Sequence, residues 1–438
     1  MLIAGQLMLP ASSSRVRLAR GWVMTDDDAG TIRSIGEGDA PGTPDAGSDE
    51  HVVLPGFVDA HLHLPQFDSI GQDGMPLLEW LNSVIFPAEL RWADGAFAHA
   101  MSRRVAKTLL AHGTTTIAAY SSAHAEGTRG AILALAEAGI SGAVGMVLMD
   151  QQAPFELCFP HQEHLREARA LDTFTRSLEA FPQLEFSLNP RFAIACSPAL
   201  LRGCGELAAD LSRNAPRRVM IQTHLSETLD ECDLAVRLHS GPGLSTPANY
   251  ASVYARNGLL TSRTLLAHCV HITSDERSLI RAAESVVAHC PTANTFLQSG
   301  TMGRRDLVRA GVSLALGSDV AGGPEISMPR VARAMIDAAK VYSGPAAARD
   351  VHDDPRLPSP ARAWWQITGG SAEASGFAHA GRLVPGLSAD VVLVRPKLHD
   401  AWTERGDPLG TLLYSWDERW IERVMTRGVW RYSGVGAG

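Results

Sequence analysis

At 438 residues the chain is too long for one small core and long enough for a barrel of roughly 250–350 residues plus a smaller module. With 45% hydrophobic and 20% charged residues it has the composition of a packed globular protein, which excludes a disordered or fibrous class. A formal net charge of −8, with Arg and Lys scattered among the acids, disfavours a nucleic acid polymer as partner, and no apolar run approaches the ~20 residues that span a bilayer.

Residues 1–54 alternate short apolar runs with Gly, Pro, Asp and Ser clusters, as in Ile32-Arg33-Ser34-Ile35-Gly36. This pattern reads as small strands joined by turns, with Met1 to Gly5 as an edge strand. The same texture returns in residues 376–438, through an apolar run at 389–394 and a strand pair at 420–432. The two ends are therefore expected to build one small β-sandwich module. Between them, residues 55–375 alternate strand-like apolar runs with amphipathic helical runs. The strands are expected at 52–58, 114–120, 142–148, 185–188, 219–223, 264–267, 285–288 and 312–316. Eight βα units in one block favour a closed (β/α)8 TIM barrel of the α/β class over an open doubly wound sheet, and no GxGxxG follows the first strand. The six cysteines form no CxxC pair, and a chain of this size needs no disulfide staples, so reduced thiols and a cytoplasmic location are expected.

In Asp59-Ala60-His61-Leu62-His63 two imidazoles sit two apart at the end of the first strand. Side chains two apart share one face of a strand, so both rings can meet one cation in the barrel mouth. Later strands end on His224, His268 and Asp319, and active sites of this fold collect at those ends. Four imidazoles and a carboxylate suit Zn²⁺, with iron as the other candidate. Such an ion lowers the pKa of bound water toward ~7. Glu227, three residues beyond His224, is placed to ferry a proton, and Asp319 is assigned both ligand and base roles. None of the three lysines (Lys107, Lys340, Lys397) lies near the fourth strand, where a two-metal site would place a bridging lysine, so one metal ion is expected. His124-Ala125-Glu126 fits half of the other zinc deaminase design, but no P-C-x-x-C accompanies it.

Pro55-Gly56-Phe57-Val58-Asp59-Ala60-His61-Leu62-His63, followed by His224, His268 and Asp319, resembles the amidohydrolase superfamily. Leu64-Pro65-Gln66, Leu77-Leu78-Glu79-Trp80-Leu81, Phe86-Pro87-Ala88-Glu89, Pro190-Arg191-Phe192, His224-Leu225-Ser226-Glu227 and Ser318-Asp319-Val320-Ala321-Gly322-Gly323 narrow the likeness to its guanine deaminases. The resemblance implies that His61, His63, His224, His268 and Asp319 surround zinc and that Glu227 shuttles protons. It also implies that Gln66, Arg191 and Phe192 hold a purine base and that the enzyme is a homodimer. The residue types agree. Arg191 offers donors only and suits the O6 acceptor of an oxopurine, Phe192 supplies an aromatic surface, and Gln66 can donate and accept along one edge. Trp80 is expected to help close the pocket. Thr228, Ser318 and the run Cys269-Val270-His271 depart from the family pattern. They keep open a sister activity on another amino-substituted heterocycle, of pterin or s-triazine type. A scaffold relative without catalysis is the remote alternative, and His289 is expected beside the metal or facing the substrate.

Overall fold

The protein is described by a computed structural model covering residues 1–434 apart from 214, 216–217, 242–244, 344–356, 399–400 and 405. The chain opens with four strands, β1 (Leu2–Ser12), β2 (Arg15–Asp26), β3 (Thr31–Glu37) and β4 (Ala46–Pro55). It then enters the barrel through β5 (Phe57–His63), β6 (Thr114–Tyr120), β7 (Ser141–Gly145), the two-residue β8 (Val147–Leu148) and β9 (Leu184–Pro190). The barrel continues with β10 (Met220–Leu225), β11 (Thr264–His268), β12 (Val286–His289) and β13 (Ser313–Leu316). Three strands follow, β14 (Val391–Val394), β15 (Ile421–Thr426) and β16 (Val429–Ser433).

The terminal strands form a seven-stranded sheet in the order β16-β15-β14-β4-β1-β2-β3. Its pairs are antiparallel except β1 with β4. It packs a core of its own around Ile3, Leu7, Val23, Val53, Val391 and Met425. The opening strand is not at an edge: β1 lies between β4 and β2 and pairs with both.

Barrel strands pair in parallel in the order β13-β12-β11-β10-β9-β7-β6-β5, with β8 continuing β7 along β9. Amphipathic helices such as Gly95–Ala111, His161–Arg176 and Pro198–Arg213 cover the outside. The ring closes where the Asp319 N–H donates to the His61 carbonyl at 2.8 Å and the His63 N–H to the Val320 carbonyl at 3.0 Å. Gly317 makes that closure possible, because a Cβ there would lie 2.7 Å from the His61 Cβ. Val58, Ala60, Ala118, Ala143, Leu265 and Val286 pack together against Phe377, so the barrel is filled and not a pore.

Two boundaries differ from the sequence reading. The apolar run 52–58 serves two sheets, since β4 ends at Pro55, β5 starts at Phe57, and the chain turns at Gly56. A Cβ on Gly56 would sit 2.1 Å from Thr115 Oγ1, so only glycine permits that close passage. The run 142–148 divides into β7 and β8. All six cysteines are free thiols, four of them buried. Among the described residues no helix is long and apolar enough to cross a membrane.

Candidate active site

β5 carries the first two imidazoles. Asp59 lies opposite Ile117 and Leu62 opposite Ala119, so β5 holds one more residue than β6 over this stretch. That bulge re-aims the end of the strand. His61 and His63 then meet the ring of Tyr120 with centroids 5.3 and 4.6 Å away. His224 lies within β10 and His268 is the last residue of β11, while Asp319 follows β13 by three residues.

The five residues fall into two overlapping triads, His61–His63–His224 and His61–His268–Asp319, with the ligand atoms of each triad within 4.8 Å of one another. His63 Nε2 is 3.2 Å from His224 Nε2, and His61 Nε2 is 3.3 Å from Asp319 Oδ1. Nδ1 of His224 donates to the Arg191 carbonyl at 2.6 Å and Nδ1 of His268 to Asn294 Oδ1 at 2.9 Å, which turns both Nε2 lone pairs inward. His268 Nε2 therefore faces Glu227 Oε2 across 3.4 Å and Asp319 Oδ2 across 3.8 Å. Buried His61 Nε2 makes no hydrogen bond. Lone pairs facing lone pairs repel, and a cation among them makes every such contact attractive, so this donor set fits a divalent metal.

Burial holds His61, His63 and His224 well below the ordinary imidazole range, in the neutral form that ligates metals. Burial, reinforced by Asp319, pushes the Glu227 carboxyl up to about 8, and burial pushes Asp319 up to about 6. A bound cation acts on both in the opposite sense. Glu227 is further held by the Ser299 hydroxyl, which donates to Oε1 at 3.0 Å. The Glu227 backbone N–H donates to Glu231 Oε2 at 2.7 Å, so the residue is fixed at both its chain and its carboxyl end.

These groups open onto a cavity at the barrel mouth. His63, His224, His268, Asp319 and Glu227 line one part of it, and Gln66, Arg191, Phe192 and Trp80 line another. Arg191 also makes a buried ion pair, with Nη1 2.7 Å from each oxygen of Glu89. Phe192 stands edge-on to His224 at 6.5 Å between centroids. Trp80 is buried, and its Nε1 makes no hydrogen bond.

A profile of the amidohydrolase family matches residues 52–431. The chain belongs to the amidohydrolase family. A guanine deaminase of Dictyostelium discoideum is 32% identical over 283 residues, covering 64% of this chain and 60% of that protein. The chain thus aligns with somewhat under two thirds of that relative's length. The guanine deaminase of Homo sapiens is 30% identical over 408 residues, covering 87% of this chain and 83% of its own. Among solved structures, a guanine deaminase from C. acetobutylicum with guanine bound in its active site superposes with a TM-score of 0.86 at 26% identity, covering 98% and 99% of the two chains.

In this amidohydrolase the structure brings together the five candidate ligands with Glu227, Gln66, Arg191, Phe192 and Trp80. His289 is different: it is buried at the end of β12 with neither ring nitrogen hydrogen-bonded, and it does not line the cavity. His271 Nε2 donates to the Ser299 carbonyl at 2.7 Å, and His112 Nδ1 donates to the Thr108 carbonyl at 2.8 Å, both as parts of the local framework. Residues that sequence reasoning passed over include Asn294, which orients His268, and Glu89. Asp59 is another, accepting from the N–H groups of His61 and Ser318. Asp59 stands two residues before the HxH motif, which was a usable signal; Glu89 and Asn294 stand in the runs Phe86 to Glu89 and His289 to Asn294 without a pattern that assigns them a role.

Proposed function

We propose that the protein hydrolyses guanine to xanthine and ammonia, with one zinc ion held by His61, His63, His224, His268 and Asp319. The observation that carries this reading is one cavity in which His63, His224, His268, Asp319 and Glu227 face Gln66, Arg191, Phe192 and Trp80, with His61 completing both ligand triads. Likeness to guanine deaminases over most of the human protein's length supports the choice of base.

When bound, the cation supplies Lewis-acid activation of water and of the amino-bearing ring carbon. Asp319 takes the proton of the attacking water. Glu227, reaching the same space from the turn after β10, delivers a proton to the ring nitrogen beside that carbon and then to the departing amine. The second of these protons comes from the hydroxyl added at that carbon, and the proton held by Asp319 then passes to Glu227, so that one water is consumed, one ammonia is released and both carboxyl groups regain their starting states. Arg191 donates to the purine O6, Phe192 covers a ring face, Gln66 pairs with a polar edge, and Trp80 excludes water at the entrance. The purine base enters as a free small molecule, and the working form is a homodimer in the cytoplasm.

The test is a substrate panel on protein whose metal has been identified. Loss of guanine absorbance with stoichiometric xanthine and ammonia is expected. Much faster ammonia release from an aminopterin or an amino-s-triazine would overturn the guanine assignment while keeping the chemistry.

A further inference from the structure

Glu89 is fully buried on the short helix Phe86–Leu90 and touches both polar residues expected to read the base. Its two oxygens each lie 2.7 Å from Arg191 Nη1, and Oε1 also accepts from Gln66 Nε2 at 3.4 Å. Three separate segments converge here: the turn after β5, the helix, and the turn after β9.

A carboxylate paired with a guanidinium only accepts hydrogen bonds, so the Gln66 amide must present its nitrogen to Glu89. Its Oε1 is then an acceptor with no protein partner among the described residues, on a side chain that lines the cavity. Nη1 of Arg191 is consumed by Glu89, which leaves Nε and Nη2 as donors without a protein partner among the described residues. The cavity therefore offers an acceptor and donors in a fixed relation. A lactam, C=O beside N–H, is complementary to that pair; the amidine edge of adenine, with its ring nitrogen acceptor and amino donor, presents the reverse polarity. We propose that Glu89 is a specificity-determining positioning residue that selects the lactam edge of the purine by fixing which atoms Gln66 and Arg191 turn toward it. The inference rests on the guanine reading and adds the residue that sets its selectivity.

Glu89→Gln keeps the side-chain shape but brings an amide N–H against donors, so Gln66 is released to rotate. Two pairs of probes isolate the effect. Guanine and 2-aminopurine carry the same amino group at the reacting carbon, and only guanine has the lactam. Hypoxanthine and purine make the same contrast in calorimetric binding, without turnover. With metal content unchanged, E89Q is expected to lower kcat/KM for guanine about 10- to 100-fold, mainly through KM, the worth of one or two buried hydrogen bonds. Its kcat/KM for 2-aminopurine should move less than about threefold, and the preference for hypoxanthine over purine should collapse in parallel. Gln66→Leu, which leaves the ion pair intact, should shift both ratios in the same direction and decides the matter where E89Q does not fold. Equal losses on both members of each pair, or unchanged ratios, overturn the inference. A wild-type protein that releases no ammonia from guanine sinks the deaminase reading instead, and the hypoxanthine-to-purine ratio still judges Glu89.

Discussion

The Nδ1–H of His224 donates to the backbone carbonyl of Arg191 at 2.6 Å, so a candidate metal ligand on β10 is aimed by a residue that lines the cavity after β9. The link is reinforced by Tyr254. Its hydroxyl donates to the His224 carbonyl at 2.8 Å and accepts from the Ala193 N–H at 3.0 Å. The candidate metal ligands and the cavity wall around Arg191 therefore share one hydrogen-bonded frame, and a disturbance of either reaches the other.

Removing the Tyr254 hydroxyl tests that frame. Tyr254→Phe leaves the buried His224 carbonyl and the Thr223 hydroxyl short of a partner, while Ala193 N keeps Tyr250 at 3.2 Å. Destabilisation of about 1–3 kcal/mol is expected, read as a shift of the urea midpoint at constant slope. Because the lost contacts lie on the backbone of His224 and Ala193, metal affinity and KM should both weaken. A variant that loses stability with metal affinity and KM intact would show that the tyrosine only packs.

Glu227→Gln addresses proton transfer. Glu227 belongs to neither ligand triad, so metal content should stay at the wild-type level. Turnover is expected to fall by roughly 10²–10⁴, the usual worth of a positioned acid or base. Near-normal kcat in a metal-replete variant would remove Glu227 from the proposed mechanism.

How far the site could be read in advance depends on the range of each signal. The His61–His63 pair is local, since the strand period alone puts both rings on one face, and the strand-end positions of His224, His268 and Asp319 follow from the alternation of elements. Hydropathy does not record which sheet a residue joins, so the run 52–58 looked like one strand although Gly56 divides it between β4 and β5. The interior place of β1 was hidden for the same reason, because its neighbour β4 is set by pairing such as Leu7 with Val53. Glu89 was out of reach: its partner Arg191 is 102 residues away, and a single acid in a four-residue run carries no periodicity. Tyr250 and Tyr254 mark one helix face by their spacing, yet nothing near them in the chain names the backbone groups they serve.

Metal removal should reveal the strain in the bare donor set. Without a cation, His268 Nε2 faces two carboxylate oxygens and His61 Nε2 has no hydrogen bond, all on buried side chains. Treatment with a strong chelator is expected to abolish turnover and to lower Tm, and added Zn²⁺ should restore both. A ligand at 100 times its Kd contributes about 2.7 kcal/mol to the folded state, which gives a readable thermal shift. Calorimetric melts of stripped and reloaded protein that coincide would mean the five side chains hold no ion.

Asp59 ties the two ends of the barrel seam together, and its loss should be felt at the metal. Oδ1 accepts from the His61 N–H at 3.2 Å and the Ser318 N–H at 2.9 Å, and Oδ2 accepts from the Ser318 hydroxyl at 2.5 Å. The carboxyl is fully buried, and that burial pushes it up to about 7. In Asp59→Ala three donors lose their acceptor beside His61 on one side of the seam and Asp319 on the other. Partners of this kind, one step behind the ligands, typically hold 10- to 100-fold in metal affinity, so a loss of about that size is expected in competition with a fluorescent chelator. Ser318→Thr keeps a hydroxyl in reach of Oδ2 and should bind metal as the wild type does, whereas Ser318→Ala should fall between the two. If Asp59→Ala retains full affinity while the melting temperature drops, the carboxylate holds the seam closed without setting the geometry of the ligands.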